Sequence, residues 1–165
     1  MAAVKAHVSG VLSCASRRAE AYRALEAAVR EVLPQGGVVP GRNAEGALAA
    51  ALAEASESFN RLGKEVNEHA EALEKAGYGE AAETVKQLQQ CEREKLAVTI
   101  RQHTLRRERA VLEARGDEAD VGERGPDAAG RDLDECTREL QRLIEAISEA
   151  LSELRELLID AEDAS

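Results

Sequence analysis

Residues Leu133 to Asp160, LDECTRELQRLIEAISEALSELRELLID, place Leu133, Thr137, Leu140, Ile144, Ile147, Leu151, Leu154 and Leu158 at alternating spacings of four and three. That is a heptad stripe, and it predicts an amphipathic helix over about 131–161. Cys136, Leu143, Ala150 and Leu157 lie one residue from stripe positions. They widen the apolar arc beyond the seam of a two-stranded coiled coil, which favours burial inside a bundle. Burying a Leu or Ile completely contributes about 1.5–3 kcal/mol, whereas ordering one residue costs about 1.5 kcal/mol. A lone helix of this kind loses more than it gains, so Leu140, Ile144, Ile147, Leu151, Leu154 and Leu158 are expected to pack against other helices.

The same periodicity recurs upstream. Val4, Val8, Val11, Ala15, Tyr22, Leu25, Val29 and Val32 keep one heptad phase, with Arg18 as the only break, and predict a helix over about 3–33 that ends at Pro34. The first nineteen residues hold Lys5, Arg17, Arg18 and three serines without an acid, a composition also seen in organellar transit peptides. The shared phase, with Arg18 its only break, favours their being part of the first helix. After a Pro/Gly-rich loop to Arg42, Asn43 is a good N-cap. The second helix, about 44–76, then carries Leu48, Leu52, Ala55, Phe59, Leu62, Val66, His69 and Leu73. Gly77 suits a left-handed C-cap, and the short Gly77-Tyr78-Gly79 turn predicts an antiparallel hairpin with a third helix over about 80–115. Gly116 to Gly130, GDEADVGERGPDAAG, reads as a mobile surface loop.

Four helices of similar length make a single all-α domain spanning 1–165, an up-down antiparallel bundle in the first reading. The second reading is an extended helical hairpin whose outer helices pack in a larger assembly. Only Tyr22, Phe59 and Tyr78 are aromatic and 33% of residues are charged, the profile of long helices. The net charge of −10 argues against generic attraction to nucleic acid or anionic lipid. No apolar run approaches the roughly eighteen residues of a membrane span. Cys14, Cys91 and Cys136 are odd in number and widely separated, indicating neither a disulfide framework nor a zinc site. An intracellular protein of cytoplasm or nucleus is expected, with cilium or cytoskeleton as the alternative.

Catalytic chemistry needs a nucleophile with a base, a perturbed acid pair or a metal cage, and no spacing here supplies one. His7, His69 and His103 lie on different helices and form neither an HExxH pair nor a zinc pattern. His69 in a heptad core position reads as a packed histidine with one hydrogen bond. Cys91 and Cys136 read as small core residues. No catalytic, metal or cofactor residue is assigned, and a non-enzyme is expected. Arg93 to Arg115 is cationic, with seven Arg or Lys against three Glu, but at 100° per residue these cations spread around the helix without interleaved aromatics. Weak or no direct nucleic-acid binding follows. On the last helix Glu145, Glu149, Glu153, Glu156, Asp160 and Asp163 fall on one face opposite Ile147, Leu151 and Leu154. Like charges four apart cost about 0.2–0.5 kcal/mol per pair, and acids in the final turn oppose the macrodipole. Glu145, Glu149, Glu153, Glu156 and Asp160 are therefore candidates for contact with a basic surface on a protein partner.

Three segments carry a resemblance: AEAYRALEAAVREVL (Ala19 to Leu33), VKQLQQCEREKLAVT (Val85 to Thr99) and EAISEALSELRELLIDAEDA (Glu145 to Ala164). Together they resemble the required-for-excision B-domain family, a small helical family named for excision repair of ultraviolet DNA damage. The resemblance implies a non-catalytic accessory or adaptor role in DNA repair and carries over no catalytic residue. Helix length and composition by themselves suggest the alternative, a structural coiled-coil subunit of a cytoskeletal or ciliary (axonemal) complex.

Overall fold

A computed structural model describes residues 2–32, 42–115 and 126–163, all but the short turn before Gly79 being helical. The helices are α1 (Ala2–Val32), α2 (Arg42–Lys75), α3 (Gly79–Arg115) and α4 (Pro126–Asp163). The turn between α2 and α3 is a Schellman motif. Tyr78 N donates to Leu73 O at 2.9 Å and Gly77 N to Glu74 O at 3.0 Å, which satisfies two carbonyls that the helix end leaves unpaired. Gly77 takes the φ of 84° this requires, a value that costs glycine nothing.

α4 begins earlier than the sequence suggests, at Pro126 instead of about 131. Proline at a first helical position has its φ already set, and the N–H it lacks would have had no partner there. The expected loop 116–130 is thus corrected for 126–130, which are helical; residues 116–125 and 33–41 lie outside the described residues.

Side-chain pairings fix the directions of the helices. His7 meets His69, and Arg17 meets Glu65, so α1 and α2 are antiparallel. Lys86 pairs with Glu74 across the α2–α3 turn, and Thr84 bonds Glu153 while Gln102 bonds Thr137, which makes α3 and α4 antiparallel as well. Each helix packs on the next and α4 returns to α1. This is an all-α four-helix bundle, and not the extended hairpin.

Among the described residues the apolar core is not continuous along the bundle. In the half nearest the α2–α3 turn, Val4, Val8 and Val11 of α1, Leu62, Val66 and Leu73 of α2, Val85 and Leu88 of α3, and Ile147 and Leu154 of α4 form one cluster drawn from all four helices. In the other half the apolar contacts divide. Leu25, Val29 and Ala55 join only α1 to α2, whereas Val98, Leu105, Cys136 and Leu143 join only α3 to α4.

The buried face of α4 is also displaced from its heptad stripe. Cys136, Leu143, Ile147, Leu154 and Ala161 are buried, while Ile144 is 44% exposed and Thr137 is exposed. Leu140, Leu151 and Leu158 are half-buried. At 100° per residue the buried arc is rotated by roughly 50° from the centre of the sequence stripe. The cause is geometric: α4 seats most of its surface on α3 and less on α1, so the arc follows those two neighbours.

Candidate functional site

From the edge of the shared apolar core into the split half runs a layer of buried polar side chains on the α1–α3 diagonal. Arg18 holds the heptad register of Val11 and Leu25 and is 2% exposed. Its guanidinium donates to Gln89 Oε1 of α3 and lies 5.9 Å from the Phe59 ring centroid. Gln89 reaches this position because Gly63 of α2 has no side chain; a Cβ there would sit 2.7 Å from Gln89 Nε2.

One turn farther along α1, Tyr22 packs edge-on against Phe59, with centroids 4.7 Å apart. The Tyr22 hydroxyl reaches the backbone carbonyl of Glu92 at 3.4 Å. The ammonium of Lys95 stands 3.9 Å from the Tyr22 centroid, a cation–π contact. Glu92 is 4% exposed and its Oε2 has no hydrogen-bond partner among the described residues. A turn beyond, Glu26 faces His103 at 3.3 Å and Arg106 at 3.9 Å. The His103 contact lacks hydrogen-bond alignment, so neither buried ring nitrogen has a hydrogen-bond partner among the described residues.

Burial sets the electrostatics of this layer. It pushes the Glu92 carboxyl above its ordinary range, although Lys95 and Arg18 act against that. It pulls Arg18 and Lys95 down, with Glu92 opposing in both cases. It raises the Tyr22 phenol strongly and lowers His103. Each charged form has lost water without gaining a full set of partners, and such a layer stabilises less than apolar packing would. Groups of this kind concentrate at functional sites more than elsewhere.

A second polar contact crosses α1 and α2 in the apolar half. His7 Nδ1 and His69 Nδ1 are 3.2 Å apart, and burial lowers the His69 pKa. The His69 ring lies against α1 at Gly10, where a Cβ would fall on the ring itself. Gly10 is therefore the space into which His69 packs, and the histidine makes the one hydrogen bond expected of it.

The carboxylates expected to face a partner, Glu145, Glu149, Glu153, Glu156 and Asp160, are all exposed on α4. Two have partners already: Glu153 accepts from Thr84 Oγ1 at 3.2 Å and Glu145 from Gln141 Nε2 at 2.8 Å. Ile159, 55% exposed, adjoins this face. The cations of α3 do not form one surface: Arg93, Arg101, Arg107 and Arg109 are exposed, while Lys95 and Arg106 turn inward to Tyr22 and Glu26. Cys14 and Cys136 are buried and none of the three cysteines is in a disulfide, their pKa values raised by burial. Among the described residues no three His, Cys, Asp or Glu side chains gather as metal ligands, and no helix is long and apolar enough to cross a membrane.

Sequence reasoning did not find Gln89, Glu92, Gln102 or His103 in the interior. Arg18 did leave a signal, as the one interruption in the α1 heptad. The others are adjacent or close to apolar residues on α3 that draw the reading of its faces.

The family model described as DNA repair REX1-B matches residues 6–106. The chain belongs to that family. The segment common to the REX1-B family holds α2 and most of α1 and α3, so every member of the buried layer from Arg18 to His103 lies within it. Of the three segments that carry the resemblance in sequence, Ala19 to Leu33 and Val85 to Thr99 fall inside the match and Glu145 to Ala164 falls outside. No curated protein and no solved structure matches the chain.

Proposed function

We propose that this protein is a non-catalytic helical adaptor of DNA excision repair that works through protein contacts. Membership of the DNA repair REX1-B family over residues 6–106 supports the repair link and is the observation that carries the reading. The adaptor part draws support from α4, which lies outside the family segment. There Glu149, Glu156 and Asp160 are exposed and make no hydrogen bond or ion pair among the described residues. Such a face suits a basic surface on a protein partner. The net charge of −10 disfavours direct DNA binding, and the protein is expected to reach the nucleus as part of a repair assembly.

The test has two parts. Cells lacking the protein should remove ultraviolet photoproducts more slowly, and normal removal rates would sink the repair reading. Partners recovered on the full chain should be reduced, and their recovery made less salt-sensitive, by Glu149→Gln, Glu156→Gln and Asp160→Asn together. Recovery unchanged in a folded triple variant would remove the α4 face from the adaptor reading. The isolated protein should give no specific complex with duplex DNA at about 150 mM salt.

A further inference from the structure

The buried layer opens to the surface between α2 and α3. A cleft of about 460 Å³ there has Arg18 and Gln89 at its inner wall, with Lys64, Arg93, Asn60 and Asn67 around it. Arg18 is buried, and its Nε–H has no hydrogen-bond partner among the described residues. Lys64 and Arg93 are exposed and make no hydrogen bond or ion pair among the described residues. Arg93 is close enough to Arg18 to act against its charge. Three cations thus converge on one cleft of an acidic protein, countered by one lining carboxylate, Glu92.

We propose that this cleft is a binding site for a phosphomonoester, presented as a phosphorylated serine or threonine side chain of a partner peptide. Charge selects the class. Three cations and one carboxylate leave an excess near two, which a phosphomonoester of about −1.5 to −2 neutralises and a single carboxylate does not. Donor count agrees: guanidinium, ammonium and side-chain amide N–H groups offer enough donors for three phosphoryl oxygens, and charge-assisted bonds of this type are the strong ones. The cleft is larger than a phosphate, leaving room for the side chain that bears it. A DNA strand fits less well, because its other phosphates would meet the field of a chain carrying −10. The cleft is lined by residues of α1, α2 and α3 and by none of the α4 carboxylates, and the site stands without the repair reading.

The experiment is a nitrogen-15 NMR titration of the full chain with inorganic phosphate, a short phosphoserine peptide, its unphosphorylated twin and a 5′-phosphorylated oligonucleotide. Phosphate and the phosphopeptide should shift the Gly63 and Asn67 backbone amides and the Gln89 side-chain amide. Lys64→Gln with Arg93→Gln should lower phosphopeptide affinity at least about tenfold while thermal melting stays unchanged, since both side chains are exposed and unpaired. No shift at the cleft, equal binding of the unphosphorylated twin, or indifference to the double variant would overturn the proposal. Tighter binding of the oligonucleotide than of the phosphopeptide would overturn the choice of a peptide.

Discussion

Arg18 of α1 donates to Gln89 of α3 across the bundle diagonal, in a gap that Gly63 of α2 leaves open. Diagonal helices in a four-helix bundle ordinarily meet through apolar side chains; here the contact is a cation and an amide, followed along α1 by Tyr22 with Lys95 and by Glu26 with His103. Alongside this layer, among the described residues, the α1–α2 pair and the α3–α4 pair keep separate apolar clusters. Among the described residues the shared core near the α2–α3 turn is the cluster that joins all four helices.

Removing one partner of the Arg18–Gln89 pair leaves the other buried and unpaired. Gln89→Leu should destabilise the protein by about 1–3 kcal/mol, and Arg18→Met combined with Gln89→Leu should recover most of that loss. Urea unfolding of the two single variants and the double variant measures the coupling. Additive losses would show that the pair does not interact.

Gly10→Ala adds a side chain that falls on the His69 ring. Overpacking costs about 1–3 kcal/mol, against a helix-propensity gain of about 1 kcal/mol. The substitution should destabilise the native protein, yet stabilise a His69→Ala background where the ring is gone. Thermal melting of the four proteins checks the reversal of sign.

Leu143 and Ile144 are neighbours in sequence with opposite environments, 3% and 44% exposed. Leu143→Ala should cost about 2–5 kcal/mol as a cavity-forming core change, and Ile144→Ala within about 0.5 kcal/mol of zero. Equal losses at the two positions would place the buried arc of α4 back on its heptad stripe.

His103 has a folded-state pKa below its ordinary value of 6.5, chiefly through burial. The unfolded chain then binds the proton more readily, so the stability this residue contributes is complete above about pH 6.5 and falls as pH drops toward the folded pKa. His69 acts in the same direction, whereas Glu92, with a raised pKa, acts in the opposite one. The measurement is accordingly the difference in melting temperature between the native protein and His103→Gln from pH 8 to pH 5. That difference should move in favour of the variant as pH falls; a constant offset would refute the assignment.

The α-helical class, the four helices and the hairpin at Gly77 were written locally, in heptad spacing, in Pro34, and in a glycine where a left-handed C-cap was needed. Local signals set them because backbone hydrogen bonding and capping involve residues within a turn of one another. Arg18 was legible too, as the one charged residue in the α1 stripe, though not what it would meet. Which arc of α4 is buried, why Gly10 stands beside His69 and Gly63 beside Gln89, and how Arg18, Glu92 and Lys95 share one layer depended on contacts between residues 25 to 75 positions apart. Periodicity locates an apolar face relative to its own helix axis. It does not say how far the neighbouring helices turn that face, or which polar residue on its flank they cover, and those were decided by the packing of α1 and α3 against the helices between them.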